Sequence, residues 1–167
     1  MSNEMTRNDI NKIEEEIEYR KLVVRKEAIE AVKEARAQGD LSENFEYYAA
    51  KRDKNKNESR IRYLERLVKT AVIIEDDTSE DEVGLYSKVD LYMEEDDEVM
   101  TIKVVTSIRG DSMKGLISID SPLGKAIKGH KIGDKIFIEV SKDYGYYVVI
   151  KKIEKTVDEG TDDIRSY

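Results

Sequence analysis

The stretch Gly39-Asp40-Leu41-Ser42-Glu43-Asn44 lies between two long segments whose residue patterns are typical of α-helices. Glycine is the commonest residue at the left-handed stop of a helix, so Gly39 predicts the end of the first segment. Because the link to the next helix is very short, the two helices are expected to fold back as an antiparallel hairpin. This geometry places the carboxylates of Asp40 and Glu43 together at the end of the hairpin.

The two segments span residues 8–38 and roughly 43–73, and neither contains proline. Apolar or small residues recur at three- and four-residue spacing in both, which predicts a coiled-coil seam that changes phase near residues 20–24. At 1.5 Å per residue, about 30 residues give a rod of roughly 45 Å. The predicted seam consists of Ile10, Ile13, Ile17, Val24, Ala28, Ala31 and Ala35 in the first segment, and Tyr48, Ile61, Leu64, Val68 and Ala71 in the second.

After the hairpin the hydrophobic period changes from that of helices to the two-residue alternation of strands. Ser121-Pro122 can open a short helix before the last two strands. The predicted fold class is therefore α+β, with a helical hairpin followed by a small domain on an antiparallel sheet. The predicted strands are 88–93, 100–105, 115–119, 135–140 and 146–150, and the predicted divisions are a hairpin at 1–75, an acidic linker at 76–82, a sheet domain at 83–155 and a frayed polar tail at 156–167.

Charge is distributed unevenly along the chain, whose 167 residues carry a formal net charge of −8. Residues 1–74 hold 16 Lys and Arg against 15 Asp and Glu, whereas residues 75–167 hold 13 against 22. Within residues 47–70, eight basic residues face three acidic ones. The second helix is therefore locally basic and suited to a nucleic-acid partner, although the whole chain is acidic.

Several protein classes are disfavoured by composition. The chain has no cysteine, which excludes a disulfide framework and thiolate metal sites and fits a reducing compartment. It also lacks a run of about 18 apolar residues, so we expect no membrane span. The start of the chain does not have the order of a signal peptide, and the cytoplasm is the expected location.

Asp40 and Glu43 allow two interpretations that do not exclude each other. Asp at an N-cap with Glu at the third helical position is a capping box, which is the simpler reading of the spacing alone. The other interpretation is that the two carboxylates converge on a divalent cation such as Mg²⁺, which proteins often hold with one or two carboxylates. Such a pair binds weakly, so it would act by entering the active site of another molecule.

The basic residues of the second helix also allow two interpretations. They can form a solvated helix face, partly paired with acidic residues of the first helix. Alternatively Lys51 and Arg52, about two turns from the link, can contact nucleic-acid phosphates. The full set is Lys51, Arg52, Lys54, Lys56, Arg60, Arg62, Arg66 and Lys69. His130 has no companions at metal-ligand spacing and is interpreted as a loop histidine.

Two stretches of the chain resemble the bacterial Gre transcript-cleavage factors, and the resemblance spans residues 5–155. The first is EARAQGDLSENFEY at residues 34–47, which is similar to the hairpin-tip signature of that family in its GreA-like form. The second is ISIDSPLGKA at residues 117–126, followed by Gly129, Gly133 and Asp134. The resemblance implies an N-terminal coiled coil and an FKBP-like C-terminal domain.

The resemblance also implies a function and a set of site residues. A factor of this family binds RNA polymerase through its secondary channel as a monomer and stimulates the polymerase's own cleavage of backtracked RNA, without being an enzyme itself. Asp40 and Glu43 would be the catalytic pair and the ligands of a Mg²⁺ shared with the polymerase. Arg36, Lys51 and Arg52 would contact the 3′ end of the nascent RNA. The polymerase-docking residues would be Ser121, Pro122, Leu123 and Gly124.

Two other functions remain open from the sequence. A Gre-like protein could bind in the channel and inhibit the polymerase without promoting cleavage. An FKBP-like domain could instead be a prolyl isomerase, but that activity needs an aromatic-lined pocket and the chain has no Trp and two Phe. A transcript-cleavage assay distinguishes the first alternative, and a proline-peptide isomerisation assay distinguishes the second.

Overall fold

The computed structural model of the chain describes residues 3–39, 44–158 and 163–165. These residues form two compact units. A helical unit consists of residues 9–71, and a sheet unit combines the residues before Asp9 with those after Ala71. The acidic segment 76–82 belongs to the sheet unit, where lysines pair with it: Lys155 with Asp76 at 3.6 Å and Lys131 with Asp81 at 3.3 Å.

The helical unit is the predicted antiparallel hairpin. Its first arm comprises helix α1 at Arg7–Tyr19, a π-helical turn at Arg20–Val24 and helix α2 at Arg25–Ala37. Its second arm is helix α3 at Phe45–Thr70. The hairpin and both arms are therefore confirmed, but the first arm contains an irregular turn that a continuous helix would lack.

The predicted seam is correct at its base and partly wrong near the tip. Ile13, Ile61 and Leu64 are buried with at most 3% of their surface exposed, as predicted. Towards the tip, Ala31 is exposed and Val32 is half-buried in its place, and Tyr48 is 46% exposed. The shift from Ala31 to Val32 follows from the π-helical turn, because a heptad pattern does not specify how far such a turn changes the phase of the seam.

The described residues of the sheet unit form seven strands. Short strands β1 (Glu4–Met5) and β2 (Val72–Ile73) pair in parallel. The other five form one sheet in the order β5-β4-β3-β7-β6. Their bounds are β3 Ser87–Met93, β4 Glu98–Val105, β5 Leu116–Ser118, β6 Lys135–Glu139 and β7 Gly145–Lys155.

All five predicted strands and the short helix, α4 at Pro122–Ile127, are present. The sheet differs from the prediction in one pairing, because β4 and β5 run parallel while the other pairs are antiparallel. Two short 3-10 turns, Ser107–Arg109 and Ser112–Lys114, allow the chain to return in the same direction. The fold class is α+β, with a mixed rather than purely antiparallel sheet.

The interior of the sheet unit is apolar. Strand β6 shows why, because Ile136 and Ile138 point inward and are at most 8% exposed while Lys135, Phe137 and Glu139 point outward. This alternation follows from the two-residue repeat of a strand. The buried cluster consists of Val83, Leu85, Val89, Leu91, Ile102, Val104, Ile119, Leu123, Ile127, Ile136, Ile138, Val148 and Ile150.

Asp158, Ile164 and Arg165 pack against the rest of the sheet unit, in contrast to the expected frayed tail. The guanidinium of Arg109 makes two contacts of 2.8 Å with the carboxylate of Asp158, and both side chains are at least 98% buried. Ile164 is 7% exposed, and the amide of Arg165 donates to the carbonyl of Ile108 at 2.7 Å. Within the described ranges, no helix is both long and apolar enough to span a membrane.

Candidate functional site

The two predicted catalytic carboxylates, Asp40 and Glu43, lie outside the described residues. What the structure describes is the pair of positions that border them, Gly39 and Asn44. Gly39 has a φ of 121°, a conformation that residues with a side chain rarely adopt, so glycine is required where α2 ends. The site is therefore described from the ends of the two helices.

Asn44 connects the two arms of the hairpin at the tip. Its side-chain oxygen accepts a hydrogen bond from the amide of Tyr47 at 3.0 Å, which caps the start of α3. Its side-chain nitrogen donates to the carbonyl of Ala35 in α2 at 2.5 Å. The N-cap of this helix is thus Asn44, and the predicted capping box of Asp40 and Glu43 lies outside the described residues.

Arg36 and Lys51, two of the predicted RNA contacts, both lie near Tyr47. The guanidinium of Arg36 lies 5.7 Å from the centre of the Tyr47 ring. A hydrogen bond with Arg36 and the charges of Lys51 and Arg36 together hold the pKa of the Tyr47 hydroxyl below its ordinary value of 10.0. We call Arg36, Tyr47 and Lys51 the tip cluster; it combines positive charge with an aromatic ring.

Other basic residues of α3 divide into two groups. Arg52 is exposed beside Lys51, as a nucleic-acid contact would require. Arg60 is buried and pairs with Glu16 of α1 at 2.9 Å, so the pairing interpretation holds for this residue. The pairing interpretation therefore holds at the middle of α3, and exposed positive charge lies near its tip end.

Two exposed aromatic residues at the tip were not singled out from the sequence as site residues. Phe45 is 86% exposed at the first position of α3, and Tyr48 contacts Tyr47 edge to face with ring centres 5.4 Å apart. Large exposed apolar groups at a helix end are a signal for a binding surface. The approach of Arg36 to Tyr47 depends on the hairpin, so spacing along the chain alone could not reveal it.

The predicted docking residues lie at the start of α4 and differ in accessibility. Pro122 is exposed, and Ser121 caps the helix by accepting a hydrogen bond from the amide of Gly124 at 3.0 Å. Leu123 and Gly124 are buried; a Cβ at Gly124 would lie 2.1 Å from the carbonyl oxygen of Ser118. Ser121 and Pro122 can therefore touch a partner, while Leu123 and Gly124 hold the helix against the sheet.

A cleft of about 320 Å³ adjoins α4 in the sheet unit. Its lining combines acidic and basic side chains and contains no aromatic ring, so it offers no support for a prolyl isomerase. Charged partners of either sign could be recognised there. The lining residues are Glu4, Ile74, Glu75, Asp76, Asp77, Leu85, Ile119, Asp120, Lys125 and Lys128.

His130 occupies the loop between α4 and β6, as expected. Its Nδ1 lies 2.9 Å from a carboxylate oxygen of Asp134. Among the residues that the structure describes, no group of three or more His, Asp or Glu side chains is arranged to hold a metal ion. Asp40 and Glu43 are not among these residues.

Comparison with known proteins assigns both units of the chain. Residues 3–73 match the family model described as "Transcription elongation factor, N-terminal", and residues 78–155 match "Transcription elongation factor, GreA/GreB, C-term". The chain is also 43% identical over 136 residues to transcription elongation factor GreA of Geobacillus kaustophilus, covering 81% of this chain and 86% of that protein. The chain belongs to the GreA/GreB family. Its curated relatives carry the name GreA, which confirms the GreA-like form of the resemblance.

Two further relatives of the GreA/GreB family illustrate the range of similarity. GreA of Mesomycoplasma hyopneumoniae is 38% identical over 145 residues, which cover 87% of this chain and 91% of that protein. The crystal structure of GreA factor homolog 1 of Thermus thermophilus is 26% identical, covers 92% of this chain and 99% of that one, and superposes with a TM-score of 0.43. The matches to the two family models and to the GreA proteins identify this chain as a transcription elongation factor.

Proposed function

We propose that this chain binds RNA polymerase through its secondary channel and stimulates the polymerase's own cleavage of backtracked nascent RNA. The chain acts as a monomer and supplies groups to the polymerase active centre rather than a complete active site of its own. Membership of a family of elongation factors supports the general role. The tip of the hairpin supports the specific one.

The observation that carries this proposal is the tip cluster of Arg36, Tyr47 and Lys51 beside the link that contains Asp40 and Glu43. Cationic side chains attract phosphates, and an aromatic ring offers a surface on which a base can stack. Arg36 precedes the link and Tyr47 follows it, with the guanidinium 5.7 Å from the ring centre. RNA held by this cluster would lie next to the two carboxylates.

Asp40 and Glu43 are the residues that would hold Mg²⁺ together with groups of the polymerase. Two carboxylates are a partial ligand set for Mg²⁺, which usually completes its octahedron with water and substrate phosphates. When bound, the ion would polarise the phosphate and activate water for hydrolysis. The contribution of this chain is to orient the carboxylates, and Asn44 serves this by tying α3 to the carbonyl of Ala35.

The sheet unit would dock on the polymerase through the exposed Pro122, the half-buried Ser121 and the neighbouring charged cleft. Basic and acidic side chains in one cleft favour a partner segment with charges of both signs. Lys125 belongs to α4 and Lys128 is its C-cap, while Asp76 and Asp77 come from the acidic segment. This face would set affinity, while the tip would set the rate of cleavage.

The central test is transcript cleavage in a stalled elongation complex, with Asp40→Asn compared with the parent chain in Mg²⁺. We expect this substitution to abolish cleavage while polymerase binding, measured by co-sedimentation, is retained. Asp53→Asn is the matched control, since Asp53 is exposed on α3. Full cleavage by Asp40→Asn would contradict the metal-ligand role. Binding by the parent chain without cleavage would instead identify a channel-binding inhibitor.

A second test addresses RNA contact by the basic residues near the tip. Lys51→Glu combined with Arg52→Glu should weaken action on long backtracked RNA more than it weakens polymerase binding, because phosphate contacts are lost. Arg66→Glu with Lys69→Glu, exposed at the other end of α3, is the control. Equal losses in cleavage and binding would indicate a structural role for Lys51 and Arg52.

A further inference from the structure

Asn57 is a polar residue buried in the middle of the hairpin. It is 4% exposed and lies on the inner face of α3, where a leucine would bury more apolar surface. A buried Asn in a helical seam costs stability, and its best-attested role is to select one arrangement of the paired helices. The partners of Asn57 therefore indicate what arrangement it selects.

Asn57 contacts Arg20 of the opposite arm at two points. Its side-chain oxygen accepts a hydrogen bond from the Arg20 guanidinium at 3.0 Å, and its side-chain nitrogen donates to the Arg20 main-chain carbonyl at 3.3 Å. That carbonyl also accepts the amide of Arg25, five residues ahead, which is the hydrogen bond that defines a π-helical turn. Asn57 thus binds both the side chain and the backbone of the residue that begins this turn.

Neighbouring charges fix the same Arg20 in place. Its Nε donates to a carboxylate oxygen of Glu16 at 2.7 Å, and Arg60 of α3 donates to that same oxygen at 2.9 Å. Burial alone would raise the pKa of Glu16, but hydrogen bonds and charge from Arg60 and Arg20 outweigh it and lower the pKa. We call Glu16, Arg20, Asn57 and Arg60 the central polar cluster.

The π-helical turn held by this cluster destabilises the first arm of the hairpin locally. Within the π-helical turn, Leu22 is 64% exposed and Val23 is 38% exposed, so two apolar side chains face water. The turn does, however, bring Val24 and then Ala28 to the inner face at four-residue spacing. An α-helix has 3.6 residues per turn, so inner-face residues spaced by four would drift away from the partner helix. Local unwinding of the helix keeps such residues facing the partner.

We propose that Asn57 is a positioning residue: by holding the π-helical turn at Arg20–Val24, it sets the rotation at which α2 presents Arg36 beside Tyr47 at the tip. This inference rests on the proposed cleavage function. Losing the extra residue of the turn would rotate α2 by about 100° and shift it by about 1.5 Å. A side chain about 5–6 Å from the axis would then move by about 8 Å.

The first measurement reports the rotation itself. Because the chain has no cysteine, Lys33→Cys and Ala49→Cys, both exposed near the tip, can carry two spin labels whose separation is measured by pulsed electron resonance. We expect one narrow distance distribution in the parent chain and a displaced or second population after Asn57→Leu. Asn57→Asp keeps the acceptor for the Arg20 guanidinium and loses the donor to the Arg20 carbonyl. Its distance distribution should therefore lie between those of the parent chain and Asn57→Leu. Asn55→Leu, exposed on the same helix, should match the parent.

The second measurement separates positioning from folding. Without the labels, Asn57→Leu should keep or raise the melting temperature and keep the factor concentration that gives half-maximal cleavage. Its saturating cleavage rate should fall by about tenfold or more, since misplacement by about 1 Å can cost about 100-fold. A merely structural role would make the rate follow the melting temperature. Asn55→Leu should change neither quantity.

Three results would overturn the inference: an unchanged distance distribution in Asn57→Leu, a changed distribution with the full saturating rate, or a rate loss that tracks a lower melting temperature. If the parent chain did not stimulate cleavage, the proposed function would fail. The spin-label distances would still decide whether Asn57 holds the turn, so the two failures are distinguishable.

Discussion

The interiors of the two units are stabilised by different kinds of interaction. The sheet unit surrounds a continuous cluster of Val, Leu and Ile side chains. The hairpin has an apolar base, with Ile13 and Leu64 fully buried, but its middle is filled by the central polar cluster. Apolar burial has no direction, whereas hydrogen bonds fix the orientation of both partners.

This difference corresponds to what each unit must do under the proposed function. A docking unit needs a stable surface, and an apolar core that tolerates small adjustments provides it. A hairpin that delivers two carboxylates needs a defined rotation and reach, and the partners of Asn57 and Arg20 supply directional constraints.

The largest effect is expected at the exception in the sheet unit, the buried pair of Arg109 and Asp158. Asp158→Ala should lower the free energy of unfolding by about 3–5 kcal/mol, because it leaves the charge of Arg109 buried without its carboxylate. Chemical denaturation measures this loss. Asp163→Ala, exposed in the same tail, should cost less than about 0.5 kcal/mol. Equal effects of the two substitutions would contradict the structural role of the pair.

A second comparison uses leucines of the two units. Leu91 is fully buried in β3, and Leu91→Ala should cost about 2–5 kcal/mol through lost burial and a cavity. Leu22 is 64% exposed in the π-helical turn, so Leu22→Ala should change stability by less than about 0.5 kcal/mol. Thermal unfolding followed by circular dichroism measures both. A large loss for Leu22→Ala would show that the turn packs more tightly than its exposure indicates.

A third prediction concerns acid and the central polar cluster. Although burial raises it, the pKa of Glu16 is lowered overall by Arg60 and Arg20 from its ordinary value of 4.5. A carboxylate with a lowered folded pKa stabilises the fold above its unfolded pKa, and this contribution is lost as pH falls through the lower folded value. Glu16→Gln should therefore destabilise the hairpin by about 1–3 kcal/mol at pH 7.

The pH dependence of this difference is the decisive measurement. The gap in stability between the parent chain and Glu16→Gln should be constant from pH 7 to about pH 5 and narrow below pH 4.5, where the carboxylate of the parent gains a proton. Helical circular dichroism during urea unfolding reports it. A gap that stays the same down to pH 3 would mean that the charge of Glu16 contributes nothing to folding.

The smallest effect is expected at an exposed pair on the hairpin surface. Lys21 and Glu65 lie 2.7 Å apart, but their side chains are 43% and 46% exposed. Solvent screens such pairs, so Lys21→Ala should change the free energy of unfolding by less than about 1 kcal/mol, and less still in high salt. A loss comparable to that of Glu16→Gln would show that the outer charges share the orienting role of the central polar cluster.

Sequence patterns predicted the elements of this chain well where one periodicity continues. The alternation in β6 and the long apolar repeat at the base of the hairpin each follow from backbone geometry, so their elements are found near the expected positions. The start of α4 was also correctly placed from Ser121 and Pro122, since a cap followed by proline is a local signal. Local physics suffices for such features.

Features that depend on contacts distant in sequence could not be predicted in the same way. The change of phase near residues 20–24 was visible, but its form as a π-helical turn depends on Asn57, 37 residues away. The capping role of Asn44 was missed because Asp40 offered an equally suitable local pattern, and the bond from Asn44 to Ala35 exists only in the hairpin. The residues around Asp158 in the sequence are mostly polar, so they do not predict that its carboxylate pairs with a buried arginine.

The family match and the folded sheet unit end at different residues. Similarity to the family ends at residue 155, whereas Asp158 and Ile164 are buried parts of the folded sheet unit. A fragment cut at the limit of similarity would keep Arg109 and remove the carboxylate that neutralises it. For expression or domain transfer, the boundary of this unit is therefore defined by the last buried side chain and not by the last matched residue.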